Sequence, residues 1–283
     1  MSHLLKSRSR NSAFTLVELL IVIAIIGILA SLAAVGVMKA LEKGKMVAAR
    51  TEISQLEAAI AAAKQNLGGV DNLPSVIRLW DTPAGFNTDA SSVPTVNFLT
   101  KAFGKAWQSK SSYPWMGPSY TGTYPVTLTG MEALVFWLGG VRDGYGTFQG
   151  FSSNPSTPWD ITNTKRKGPF YEFDSVRVLN NTTATKPTFV NSWGGAYAYF
   201  SSSDYAYFLS NPLNGVLLPY HKNASPPVLA GSFYNAKTFQ IISSGQDQSF
   251  GSGGYYNPPY SIGLPVYDDL SNFSSTQLGK KDE

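Results

Sequence analysis

From Leu19 to Met38 the chain runs for twenty residues without a charge, LLIVIAIIGILASLAAVGVM. At about 1.5 Å per residue, a helix of that length covers the roughly 30 Å hydrocarbon core of a bilayer. The upstream flank is basic, with Lys6, Arg8 and Arg10 in the first thirteen residues and no acid among them. The positive-inside bias therefore orients the N-terminus to the cytoplasm and everything beyond about Met38 to the outside. A cleaved secretory signal is the plain alternative. Its apolar region usually spans about 7 to 15 residues and ends at small residues, a pattern that Ala30, Ala33 and Ala34 can imitate. An uncleaved single-pass anchor is another. Glu18 weighs against both, because a carboxylate at the edge of an apolar run is costly and is normally kept with a partner.

The rest of the 283 residues is nearly neutral, since the formal charge is +4 and three basic residues lie in that leader. Such a remainder has no broad footprint for a phosphate backbone, and nucleic acid is not an expected partner. There is no cysteine, which excludes disulfides, thiolate metal sites and cysteine nucleophiles. Of the two histidines, His3 sits in the leader, and His221, flanked by Pro219 and by Pro226-Pro227, reads as a loop residue. No G-x-S-x-G, phosphate-binding loop, dinucleotide fingerprint or zinc pattern occurs, so an enzyme is not expected. Scattered Asp and Glu could still assemble a glycosidase pair.

Beyond the apolar run, Met46, Ala49, Ile53, Leu56, Ile60, Ala63 and Leu67 recur at three and four residues, with Lys45, Arg50, Glu52, Glu57 and Lys64 off that stripe. The spacing predicts one helix from about Phe14 to Leu67, stopped by Gly68-Gly69, with its outer half packed on a head. A coiled coil is the alternative, although three heptads barely suffice. All six Trp lie in residues 70–283, a stretch rich in Gly, Ser, Asn and Pro, which suits a loop-rich α+β domain with a small antiparallel sheet. Thr129-Gly130-Met131-Glu132 reads as a capping box opening a short buried helix that Gly139-Gly140 ends. Residues 141–185 lack periodicity and read as a surface insertion with an edge strand at Tyr171 to Leu179. Thr188-Phe189-Val190, Trp193-Gly194-Gly195 and the alternating run from Ala196 to Phe200 read as strand, turn and strand, with a third strand at Lys237 to Ile242. The aromatic loops Tyr113-Pro114-Trp115 and Tyr255 to Tyr260 are candidates for stacking on carbohydrate or a partner, though such residues are more often core.

The stretch SAFTLVELL, residues 12–20, resembles the prepilin signature of the type IV pilin and type II secretion pseudopilin superfamily. The resemblance implies that a prepilin peptidase cuts between Ala13 and Phe14 and methylates the new Phe14 amine. It also implies that Glu18 pairs with the N-terminal amine of a neighbouring subunit during filament assembly, relieving a buried charge on each side. The chain departs from the family at Ala13, where Gly is usual, and at Val35, where Pro is usual. Residues 51–69, TEISQLEAAIAAAKQNLGG, and the W-G-x-x-Y pattern at 193–197 are similar to the stem and first hairpin of the G-type pseudopilins. There Asn191 replaces an acid and Gly195-Ala196 an Asn-Pro. In that group the regions matching Ser243 to Asp247 and Asp268 to Phe273 hold one calcium. By resemblance Ser243, Asp247, Asp268 and Asp269 become its ligands, hard oxygens of the kind calcium takes. Gln248 stands where Gly is usual, and Ser252 to Tyr267 is an insert. An Asx-turn at Asp247 beside an unrelated acidic pair is the bland alternative.

The organisation so implied is pilin-like: a cleaved leader 1–13, a transmembrane and stem helix 14–67, and a head 68–283 with the insertion 141–185 and a C-terminal loop 243–273. The implied function is a structural subunit of a pseudopilus for type II protein secretion. It would be stored as a single-pass bacterial inner-membrane protein with a cytoplasmic N-terminus and a periplasmic head. Its implied partners are other copies of itself, minor pseudopilins and the inner-membrane assembly platform. A type IV pilin for adhesion, motility or DNA uptake shares every N-terminal feature, and a membrane-anchored binding or enzymatic exodomain is a third reading.

Overall fold

The computed structural model describes residues 15–180, 185–205, 217–224, 228–261 and 263–280. In chain order its elements are α1 (Leu16–Asn66), β1 (Val76–Leu79), α2 (Pro83–Thr88), α3 (Val93–Phe103), β2 (Val126–Thr129), α4 (Met131–Gly139), β3 (Phe151–Ser152), β4 (Arg166–Lys167), β5 (Val178–Leu179), β6 (Thr188–Phe189), β7 (Tyr197–Ser201), β8 (Leu218–His221), β9 (Phe239–Ser243), β10 (Gly253–Tyr255) and β11 (Leu270–Ser271). The chain divides into two units, one ending at Met46 and the other beginning at Val47.

In the first unit every described residue before Met46 is exposed. The helix there reaches a mean hydropathy of 2.9 over eighteen residues, none of them buried, so it is long and apolar enough to cross a membrane. It runs through Val35 and Gly36 without a break. A glycine costs a helix only about 1 kcal/mol relative to alanine, which is too little to end one of this length.

In the second unit the apolar stripe is buried from Ala49 onward, with Ile53, Leu56, Ile60, Ala63 and Leu67 all at 3% exposure or less. Each large aliphatic among them contributes roughly 1.5 to 3 kcal/mol. Gly68 follows with φ 79°, and a Cβ there would sit 2.5 Å from the Lys101 carbonyl, so the helix ends where only glycine fits. Glu52 departs from the expected pattern. It lies off the stripe and is nonetheless buried, because partners from elsewhere in the chain enclose it. Arg177 Nη1 and Nη2 donate to its Oε1 and Oε2 at 2.8 and 2.6 Å, Tyr197 donates its hydroxyl to Oε2, and the Tyr171 hydroxyl reaches Oε1 at 3.4 Å. Arg177 also donates to the Val190 carbonyl and lies 4.6 Å from the centre of the Phe189 ring. A carboxylate is tolerated in such a place only when paired in this way.

Residues 141–185 therefore do more than cover a surface. Tyr171 and Arg177 hold the stem, and Phe151 and Trp159 are buried. The expected edge strand shortens to β5, paired with β6, because Ser175–Arg177 forms a 3-10 turn whose Val176 N–H is capped by Asp174 Oδ1 at 3.0 Å. The hairpin expected over 188–200 closes at the single Val190–Ala196 bridge. Asn191 Oδ1 accepts from both the Trp193 and Gly195 N–H at 2.9 Å, a turn closed by a side chain rather than by a ladder. β7 pairs instead with β9, from Tyr197–Ser243 to Ser201–Phe239, in a three-stranded antiparallel sheet ordered β11-β9-β7. α4 is capped in one direction only, by the Thr129 N–H on Glu132 Oε2 at 3.2 Å.

Tyr113 and Trp115 are core rather than a stacking surface. They pack with Trp107 and Trp159, with ring centres 5.5 Å apart for Trp107 and Trp115 and 4.9 Å for Trp115 and Trp159. In the other aromatic loop Tyr256 is buried in a second cluster with Tyr220, Phe233 and Ile242, while Tyr255 stays exposed. His221 ends β8 instead of lying in a loop, and it is buried.

Candidate functional site

Two places gather the residues that the sequence singles out, and the first is the start of α1. Ala13 and Phe14 lie outside the described residues. Thr15 and Glu18 are described and hold each other reciprocally. The Thr15 N–H and hydroxyl donate to Glu18 Oε2 at 2.8 and 2.9 Å, and the Glu18 N–H donates to Thr15 Oγ1 at 3.2 Å. This is a capping box, in which an N-cap hydroxyl and a carboxylate three residues on satisfy two of the helix's free donors. The spacing T-x-x-E was visible in the sequence, where only the charge of Glu18 drew attention. Its carboxylate is thus held by its own helix end, with positive partial charge from the helix dipole around it. It is also exposed, so it can accept a further donor.

The second place is the loop between β9 and β11. These strands pair Ser243 with Leu270, and the next residue outward on either side is Ser244 and Asp269. Both are fully buried, and Ser244 Oγ and Asp269 Oδ1 have no hydrogen-bond partner. The other Asp269 oxygen accepts from the Gly251 N–H at 3.2 Å. Asp268 Oδ2 accepts from the Asp247 N–H at 3.0 Å and from the Gln246 N–H, and Asp247 Oδ1 closes a turn on the Ser249 N–H at 2.8 Å. Ser243 Oγ accepts from Asn191 Nδ2 at 2.9 Å, which ties the turn before β7 to this loop. Burial first, and then the charges of Asp268 and Asp247, push the Asp269 carboxyl up to about 8. Asp247 is raised too, by burial and then by Asp268. Gln248 has φ 62°, a left-handed conformation that side chains rarely adopt, at the position where the resembled group has Gly.

The four residues named from the sequence therefore lie at the two ends of the segment that joins β9 to β11, with Asp268 pulling the Gln246–Asp247 backbone against the β11 side. Among the described residues, no three Asp, Glu or His side chains gather closely enough to hold a metal. A cation here would need carbonyls and hydroxyls to complete its shell, which calcium accepts. The unpartnered Asp269 and Ser244 oxygens fit that requirement. Ser244 was missed in the sequence because its neighbour Ser243 occupies the matching motif position. The Glu52 cluster was missed as well, since its partners stand 125 and 145 residues away and leave no local trace.

A family model described as a prokaryotic N-terminal methylation motif matches residues 8–34. It covers Ala13, Phe14, Thr15 and Glu18 and most of the uncharged run. This is the prepilin signal of type IV pilin-like proteins and pseudopilins, the form on which prepilin peptidase acts. No curated protein and no solved structure matches the chain.

Proposed function

We propose that the chain is a pilin-like structural subunit, cut between Ala13 and Phe14 and polymerised through α1 into a pseudopilus that serves type II protein secretion. The observation that supports this most is the methylation motif at 8–34 on a helix whose uncharged stretch, Leu19 to Met38, is wholly exposed. Such a helix needs lipid or other helices around it. In storage lipid supplies this, in a single inner-membrane pass with the head in the periplasm. In the filament the α1 helices of neighbouring subunits replace it. The role is mechanical rather than catalytic.

Glu18 sets the register in this reading. The Thr15 donors compensate its carboxylate in the single chain, and in the filament the N-methylated Phe14 amine of a neighbour adds a full positive charge. One axial offset between helices satisfies that pair, and every other offset leaves both charges in an apolar core. Glu18→Ala is expected to leave the cut and methylation intact while lowering filament yield at least tenfold on immunoblot. Glu18→Gln keeps an acceptor for Thr15 without the charge, which separates capping from pairing. Normal filament yield from Glu18→Ala would remove the pairing role.

The pathway itself is tested by expressing the chain with and without a prepilin peptidase and reading the N-terminus by mass spectrometry. N-methyl-Phe14 is expected only with the peptidase. An intact Met1 in both, or a new start near Val35, returns the chain to the anchored or secreted class. Shearing cells and blotting the medium separates the second reading, a surface type IV pilin, which alone predicts long sheared fibres.

Calcium at the C-terminal loop belongs to the same proposal. Asp269, Asp268, Asp247, Ser243 and Ser244 would hold it, and its charge would offset the three carboxylates. The unpartnered buried oxygens of Asp269 and Ser244 support this part.

A further inference from the structure

The uncharged run of α1 ends at Met38, and three lysines follow within seven residues, Lys39, Lys43 and Lys45, with one acid, Glu42. All four are exposed. At 3.6 residues per turn, Lys39 and Lys43 share one face about 6 Å apart along the axis, while Lys45 projects from another side. Like charges at that spacing weaken a helix. Neither Lys39 nor Lys43 has an acidic partner among the described residues. Lysine is also depleted on the outward flank of a membrane span, so a cluster there needs a local reason.

Depth supplies one. Lys39 and Lys43 stand about 1.5 and 7.5 Å beyond Met38, against a headgroup layer that extends about 5 to 7.5 Å on each side of the hydrocarbon. The layer reaches about 7.5 Å at its thickest, so Lys43 starts at its outer edge, and the apolar stems let both ammonium groups settle back to phosphate level. On the same face, one and two turns nearer the bilayer centre, lie Val35 and Leu32, 55% and 68% exposed. We propose that Lys39 and Lys43 form a binding site for the phosphate of an anionic phospholipid in the outward leaflet, with Val35 and Leu32 beneath it for an acyl chain. The apolar ledge distinguishes a lipid from a free anion. The site requires only that α1 cross a bilayer, and it stands whether or not the chain forms a filament.

The test uses the full chain in mixed micelles holding equal phosphatidylglycerol and phosphatidylcholine, with retained lipids counted by native mass spectrometry. Phosphatidylglycerol is expected to be retained preferentially. Lys39→Gln/Lys43→Gln should cut that preference about 25-fold, at about fivefold per lysine, and Lys39→Arg/Lys43→Arg should restore it. Lys45→Gln should leave it unchanged, and the loss from the double glutamine variant should persist when Lys6, Arg8 and Arg10 are neutralised as well. Circular dichroism of the double glutamine variant should show the same helix content. An undiminished preference in that variant overturns the proposal. So does a loss that follows Lys45 or the leader instead, or displacement of the lipid by millimolar inorganic phosphate.

Discussion

Asp269 keeps one oxygen on the Gly251 N–H and the other on nothing, in a fully buried position. Its carboxyl is held up to about 8, against a usual value of 3.8, chiefly by burial. A raised carboxyl binds its proton more tightly folded than unfolded. Its contribution to stability is therefore complete below about pH 4 and is lost progressively as pH rises toward 8. A bound cation reverses that direction, because it needs the ionised form. We predict that calcium raises the calorimetric Tm, that the rise is larger at pH 8 than at pH 6, and that chelator abolishes it. Asp269→Asn should remove the calcium response and raise the cation-free Tm at pH 8. The absence of any Tm change with calcium at pH 8 sinks the metal assignment. At this scale the carboxylates were legible in the sequence as ligand types. Which serine turns an unused oxygen inward was not, since that depends on Asn191 having engaged Ser243.

Between elements, the bond from α1 to the turn before β5 carries the most charge. Glu52 and Arg177 are largely buried and joined by two hydrogen bonds, so removing either strands the other. We expect Glu52→Ala or Arg177→Ala to cost about 3 to 5 kcal/mol in urea denaturation. The double change Glu52→Ala/Arg177→Ala should cost clearly less than the sum of the single changes, as expected for coupled neighbours. Strictly additive losses would show that the two residues act independently. The apolar stripe of α1 was readable because a helix repeats its own period from residues close in sequence. Glu52 was not, because long-range partners decided its burial. For the same reason, while β7 and β9 kept nearly their expected lengths, β5 and β6 came out shorter than the sequence suggested. Side-chain-closed turns at Asn191 and Asp174 end them early.

At the scale of the whole molecule, every buried residue among those described lies at Ala49 or beyond. A fragment beginning at Val47 should therefore fold cooperatively and stay soluble without detergent. Its near-UV circular dichroism, carried by six tryptophans that all lie in the retained part, should match that of the full chain. A flat near-UV spectrum would show that the first unit is needed to fold the second. The long uncharged stretch of α1 also has an electrical meaning. Between Glu18 and Lys39 the helix carries no charge. In the proposed orientation, drawing the cut chain outward through an energised membrane moves one negative carboxylate and one positive Phe14 amine, whose electrical work cancels. With the leader attached, Lys6, Arg8 and Arg10 would have to climb the same potential, at about 7 kcal/mol for every 100 mV. Removing thirteen residues thus turns the helix into cargo that the membrane voltage does not hold back.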